Sequence, residues 1–248
     1  MLPEVVRDKN VKQTPYYLSK ANLIKSVESN KRLFDFESYP SWNRWLISHH
    51  CSFLIWSIVI HKLNEREQVD EAVSLLKAYS EILSYTRLIK PIEYEREIRP
   101  FMSAFWPGFS AVWSHEFQVL KGVINSISIN GTASSLLKLK EVYKENHIEH
   151  MKTAKALVPE GKSLLQEIKK AGAVISTSSE ELNYVYDCMF LVKRAAVSID
   201  DLHTQLKDRL NTLLNDVGSF DSRLIETDFY YVNAWLNTVK VSTIKMAG

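Results

Sequence analysis

The segment from Ser41 to Leu63, SWNRWLISHHCSFLIWSIVIHKL, constrains the fold more than any other. It holds neither proline nor glycine, and its apolar residues cover most of a helix circumference instead of a single stripe. Such a helix has to be enclosed, by other helices or by lipid. Its most apolar run, CSFLIWSIVI, falls short of the roughly 20 residues needed to cross a bilayer. The segment is therefore expected at the centre of a helical core, and 248 residues with 46% hydrophobic content suffice to surround it.

The remainder also reads as helix. Seven glycines and seven prolines are few for this length, and the segments between them are rich in Leu, Lys, Glu and Ala with helical periodicity. Helices are expected over residues 65–89 and 108–127, then over LLKLKEVYKENHIEHMKTAKAL, ended by Pro159-Glu160-Gly161. KSLLQEIKKAG follows, closed by Gly172. The Ser/Thr cap STSSEE then opens the longest candidate, from Leu182 to Gly218. No repeat, low-complexity tract or linker divides the chain, so the expectation is one all-α domain over residues 1–248, with residues 1–20 as an N-terminal arm.

Charge and cysteine usage exclude several classes. The 31 basic and 29 acidic residues are interspersed, which leaves no basic stripe for nucleic acid or an anionic membrane. Cys51 and Cys188 each lie in apolar segments, against a disulfide framework or a thiolate zinc site. The N-terminus MLPEVVRDKN lacks a signal-peptide layout, so the expected compartment is the cytoplasm. Phosphate loops, zinc-protease motifs and nucleophile elbows are all missing from the sequence.

The informative residues are histidines, one arginine and an aromatic turn. His50 shares a helical face with Leu54 and His61, so its imidazole is either a hydrogen-bonded core group or lines a cavity. In EYEREIRPFMSAFWPGFSAVWSHEF, Pro100 and Pro107-Gly108 set Arg99 at an interruption between helices, with Phe101, Phe105, Trp106, Phe109 and Trp113 around the same turn. A guanidinium among aromatics suits capture of a carboxylate; the alternative is an arginine bonded to helix-end carbonyls. His203 borders the apolar stripe of Leu202, Leu206, Leu210 and Leu213. One inward histidine from each of two helices could enclose a haem. His147 and His150, three residues apart, could share a face as metal ligands or belong to a solvated helix.

Taken in order, these segments resemble the haem-dependent tryptophan 2,3-dioxygenase and indoleamine 2,3-dioxygenase superfamily. His50 and Trp56 keep the family's interval between a distal histidine and a tryptophan, although Cys51 and Leu54 replace its Gln and Glu. Tyr94, Ile98-Arg99-Pro100 and Gly108-Phe109-Ser110 are similar to its substrate tract, with one residue more before Arg99 and one fewer before Ser110. Tyr186-Asp187-Cys188 ahead of His203 resembles the indoleamine branch's approach to its iron ligand, with a longer gap. HMKTAKAL, beginning at His150, also looks like the ligand segment of the tryptophan dioxygenases. Chain order favours His203, since 51 positions separate Arg99 from His150 and 104 separate it from His203.

The resemblance implies a helical bundle enclosing haem b. His203 would hold the iron beside Trp56, and His50 would act on the distal side. Arg99 would clamp a substrate carboxylate, and Tyr94, Phe105, Trp106, Phe109 and Ser110 would line the substrate pocket. The implied reaction is insertion of oxygen from O2 into an aromatic amino acid of the tryptophan or tyrosine kind, as a dioxygenase or monooxygenase. The family's Gly-Thr-rich loop is replaced by SFDSRLIETDFYY, which leaves substrate identity open, as it leaves a homo-oligomer. Two other readings stand beside it. One is a non-haem iron bundle using His115, His147, His150, Glu116, Glu141 and Glu149. The other is a non-enzymatic helical interaction module.

Overall fold

The computed structural model describes residues 4–5, 39–64, 69–106, 108–130, 134–159, 161, 163–170, 172, 179–220 and 222–246. Among these the fold is helical throughout, apart from two residues in each of two short strands. The expected arm, residues 1–20, lies outside them except for strand β1, Glu4–Val5.

Helix α1, Pro40–Asn64, is the central element. By length and composition the whole helix could span a bilayer, yet 78% of its most apolar window is buried inside the protein. It packs on α2 (Val69–Thr86), α4 (His115–Asn130) and α8 (Ile199–Phe220). Enclosure on several sides explains why its apolar residues need no stripe. Its buried serines stay satisfied by bonding back one turn: Ser48 Oγ donates to the Arg44 carbonyl at 2.6 Å, and Ser52 Oγ to the Ser48 carbonyl at 2.7 Å.

Helix α5, Ser134–Leu157, packs on α2 and more lightly on α4. The four helices α1, α2, α5 and α4 thus form a closed unit in which α5 lies diagonally across from α1. Helix α8 backs α1 from outside that unit, and α10 (Tyr230–Met246) backs α2. The chain direction of α8 opposes that of α1. A buried clamp fixes the register: Arg44 Nε donates to Asp216 Oδ2 at 2.8 Å, and the Tyr85 hydroxyl donates to the same oxygen at 2.9 Å.

Three boundaries differ from the sequence expectations. Between α2 and α4 the backbone at Arg99 is helical (φ −61, ψ −44), so no interruption falls there. The turn Pro91–Glu93 widens into a π-helical turn, Tyr94–Ile98, and continues as α3, Arg99–Phe105. The Arg99 N–H reaches back five residues to the Tyr94 carbonyl. Pro100, lacking an N–H, is accommodated by that wider turn without breaking the helix. Next, the helix expected from Gly108 begins only at His115, after a 3₁₀ turn, Ala111–Trp113, and an extended Ser114.

The third difference is the largest. The single long helix expected over 182–218 is two helices, α7 (Ser179–Met189) and α8. Leu191 takes a left-handed backbone (φ 55), and Lys193–Arg194 forms strand β2, parallel to β1 with Glu4 opposite Lys193. Ser198 and Asp201 then form a reciprocal cap: the Asp201 N–H donates to Ser198 Oγ at 3.1 Å, and the Ser198 N–H to Asp201 Oδ2 at 3.0 Å. Helix α8 also passes through Gly218 to Phe220. The expected closure at Gly172 is present, with φ 76 after α6 (Leu164–Lys170). Helix α9, Ser222–Asp228, leads into α10.

Candidate functional site

The site is built on the N-terminal half of α1. Trp45, His49, Phe53 and Trp56 follow one another at helical spacing, and His50 sits on the adjoining face. His49 Nδ1 lies 2.7 Å from the Trp45 carbonyl, an acceptor, so Nδ1 carries the proton and Nε2 keeps its lone pair. The ring stacks on Phe190 at 4.1 Å with 15° between planes. Burial pushes the His49 pKa down to about 3, against the favourable Trp45 carbonyl, and the imidazole of His150 adds a smaller repulsion. His49 is therefore neutral at any physiological pH.

His150 approaches from α5, the diagonal helix. It is half-buried, and its pKa is lowered first by burial and then by neighbouring His147. No hydrogen bond to its ring occurs among the described residues. His49 on α1 and His150 on α5 are thus both neutral imidazoles, near enough for the charge of one to bear on the other.

The π-helical turn and α3 close the same end. Tyr94 packs edge-on against Trp45 at 5.4 Å, and burial pushes its hydroxyl up to about 12, with Arg99 opposing and Glu95 reinforcing the rise. The Arg99 side chain is only 12% exposed; its Nη2 lies 2.6 Å from Glu167 Oε1 on α6, and its Nε lies 3.5 Å from Glu95 Oε2. The indole Nε1–H of Trp45, between His49 and Tyr94, is buried without an acceptor among the described residues. Buried indole N–H groups normally have a partner, so this donor is suited to a ligand oxygen.

His50, expected on the distal side of a haem, is bonded to the backbone of the α7 turn. It is fully buried, and its Nε2–H donates to the Phe190 carbonyl at 2.6 Å. Burial holds it well below the ordinary histidine range, with Arg209 as the next cause. His50 thus pins the turn at Phe190–Leu191 whose ring supports His49. Phe109 is buried and stacks on Tyr186 at 5.4 Å, 6.0 Å from Phe190. Trp56 packs edge-on against Tyr79 at 5.2 Å. Trp106 is half-buried against Trp113, and Ser110 is half-buried at the start of the 3₁₀ turn. The Phe105 side chain lies outside the described residues.

His203 does not join this group. It is half-buried on α8, edge-on to Trp235 of α10 at 5.9 Å, with Nε2 buried and unpartnered among the described residues. Burial lowers its pKa, as do Lys62 and His61, while Glu71 and Asp200 oppose. His61 lies twelve residues beyond His49, roughly 18 Å along α1 at 1.5 Å per residue. Leu206, Leu210 and Leu213 occupy the buried face of α8 between His203 and Asp216, the partner of Arg44.

The residues of the non-haem iron reading do not converge either. Glu149 pairs with Arg87 and Lys152, His147 and Glu141 are exposed, and Glu116 is buried against Arg194. Arg194 also holds Asp187 through Nε at 2.7 Å and Nη2 at 2.6 Å. Two carboxylates sharing one guanidinium leave an excess negative charge in the interior, and burial raises the Asp187 pKa well above the carboxylate range. This cluster ties the two ends of the Phe190 turn together, Asp187 before it and Arg194 after it. Sequence reasoning missed it, because no local pattern links Glu116, Asp187 and Arg194. It also passed over Glu167, an unremarked acid in a Lys/Glu-rich helix.

Neither a family model nor a curated protein matches this chain. What the fold defines is the class: an all-α protein with an aromatic, histidine-bearing interior.

Proposed function

We propose that the protein is a histidine-ligated haem oxygenase acting on an aromatic amino acid or a close derivative, with His150 in the role that chain order had assigned to His203. What supports the reading is that His49 on α1 and His150 on α5 are both held unprotonated by burial, with His150 near enough to lower the His49 pKa a little further, and that Tyr94 packs on Trp45, one turn before His49. Burial keeps both imidazoles unprotonated, the form a metal requires of its ligand. His150, whose ring has no hydrogen-bond partner among the described residues, is the ligand candidate.

When bound, ferrous haem supplies dioxygen activation. The protein contributes position and dryness. His49, with its proton held at Nδ1 by the Trp45 carbonyl, presents Nε2 as an acceptor for an N–H or O–H of the substrate. The Phe190 ring fixes the plane of that imidazole, and the His50 bond fixes the turn that carries Phe190. Arg99 supplies a planar fork for a carboxylate, and buried Phe53 and Phe109, both packed on Phe190, keep the surroundings of His49 dry.

Hemin titration followed by absorption tests the reading. Wild-type protein and the His203→Ala variant are expected to take up hemin with an intense Soret band. His150→Ala should lose it, and His49→Ala should retain hemin with altered turnover. A wild-type protein indifferent to hemin, or a His150→Ala variant that binds like its parent, overturns the proposal.

A further inference from the structure

Arg99 is nearly buried, whereas the carboxylates on its guanidinium are not. Its side chain is 12% exposed, against 50% for Glu167 and 44% for Glu95. A guanidinium that deep has lost most of its hydration, so it needs counter-charge. Glu95 is a long contact at 3.5 Å, one helical turn away on the same segment. Glu167 is the short one, at 2.6 Å, and it comes from another element, α6.

Helix α6 holds Glu167 there without burying it. Its start is fixed by a reciprocal cap, in which the Ser163 N–H donates to Gln166 Oε1 at 3.0 Å and the Gln166 N–H to Ser163 Oγ at 3.3 Å. The Glu167 side chain can rotate into solvent while this backbone stays in place, and a half-exposed carboxylate regains its hydration at little cost. The asymmetry makes the pair exchangeable from one side only.

We infer that Glu167 is a resident competitor for the Arg99 fork: its carboxylate neutralises the guanidinium until a ligand carboxylate replaces it, so the residue sets both the affinity for carboxylate-bearing ligands and the discrimination against ligands lacking one. The exchange is charge-balanced, since one carboxylate leaves Arg99 for water as another leaves water for Arg99. It rests on the reading of Arg99 as a substrate clamp, and it adds a residue that tunes it. Glu95 is the built-in control, because its longer contact is retained when a ligand takes the Nη edge.

The test is isothermal titration of hemin-loaded wild type, Glu167→Gln and Glu95→Gln with L-tryptophan and L-tyrosine, and with tryptamine and tyramine, which lack the carboxylate. Glu167→Gln should bind whichever amino acid the wild type binds about three- to tenfold more tightly, as expected for removing a partly exposed competing ion pair. Amine affinity should be unchanged, and Glu95→Gln should shift amino-acid affinity less than Glu167→Gln. Equal or weaker amino-acid binding by Glu167→Gln, with wild type binding normally, overturns the inference and leaves the functional reading standing. A wild type that takes up neither hemin nor either amino acid overturns both.

Discussion

The interior of the four-helix unit and the α8–α10 flank both carry histidine beside tryptophan, but they treat it in opposite ways. At His49 and His50 each imidazole has a defined hydrogen bond to a carbonyl, and Trp45 and Phe190 pack against His49. At His203 the ring rests on Trp235 with a buried, unpartnered Nε2, and charged Lys62, Glu71 and Asp200 are near. The two regions differ in that hydrogen bonds to carbonyls fix the tautomers of His49 and His50, whereas His203 Nε2 has no such partner among the described residues.

The largest effect is expected where the interior is clamped. Asp216→Ala leaves Arg44 buried without its partner and removes the acceptor of Tyr85, and should destabilise the protein by about 3–5 kcal/mol in urea unfolding. A loss under about 1 kcal/mol would show that this clamp does not hold α8 on α1 and α2.

Acid comes second. His49 has a folded-state pKa of about 3 against an ordinary 6.5, and His50 is also lowered. Depressed values mean the unfolded chain binds protons that the folded chain refuses, so stability is full above pH 6.5 and falls as pH drops toward 3. Each such histidine contributes a slope of about 1.4 kcal/mol per pH unit. Asp187, whose folded pKa is raised, works in the opposite sense above pH 3.8 and offsets part of this. Denaturation at pH 7, 6 and 5 should show a net decline. His49→Phe should flatten it, and His203→Phe should leave most of it. A curve that does not change with pH over this range would break the distinction.

The smallest effect is at the flank. His203→Phe removes an unpartnered polar atom and keeps the ring on Trp235, so stability should change by less than about 1 kcal/mol, measured by thermal unfolding. His50→Phe, which strands the Phe190 carbonyl in the core, should cost more than His203→Phe.

Much of the fold was legible along the chain. The apolar circumference of α1 foretold a central helix, the Leu/Lys/Glu segments foretold the surrounding ones, and Gly172 foretold a left-handed closure. The break between α7 and α8 was not legible as one. Residues 190–198 hold neither glycine nor proline, and what turns the chain is Arg194 reaching Asp187 and Glu116, partners 7 and 78 positions away. Tyr94, Arg99 and Phe109 could be singled out from their segment, but the neighbours of each histidine could not. His49 and His50 are about 100° apart on a helix apolar on nearly all sides, so no stripe says which faces α5.

Local chemistry along the sequence determined that this protein is helical, which helix is enclosed, and that aromatic rings, histidines and one arginine would gather near the first helix. Only the tertiary structure decided that α2 and α4 join α5 to α1, that the turn after α7 lays Phe190 on His49, and that α8 sets His203 against Trp235 of α10. Periodicity records how much of a helix is buried; which neighbour buries it depends on long-range packing and buried charge pairs, and these leave no trace in any single stretch of chain.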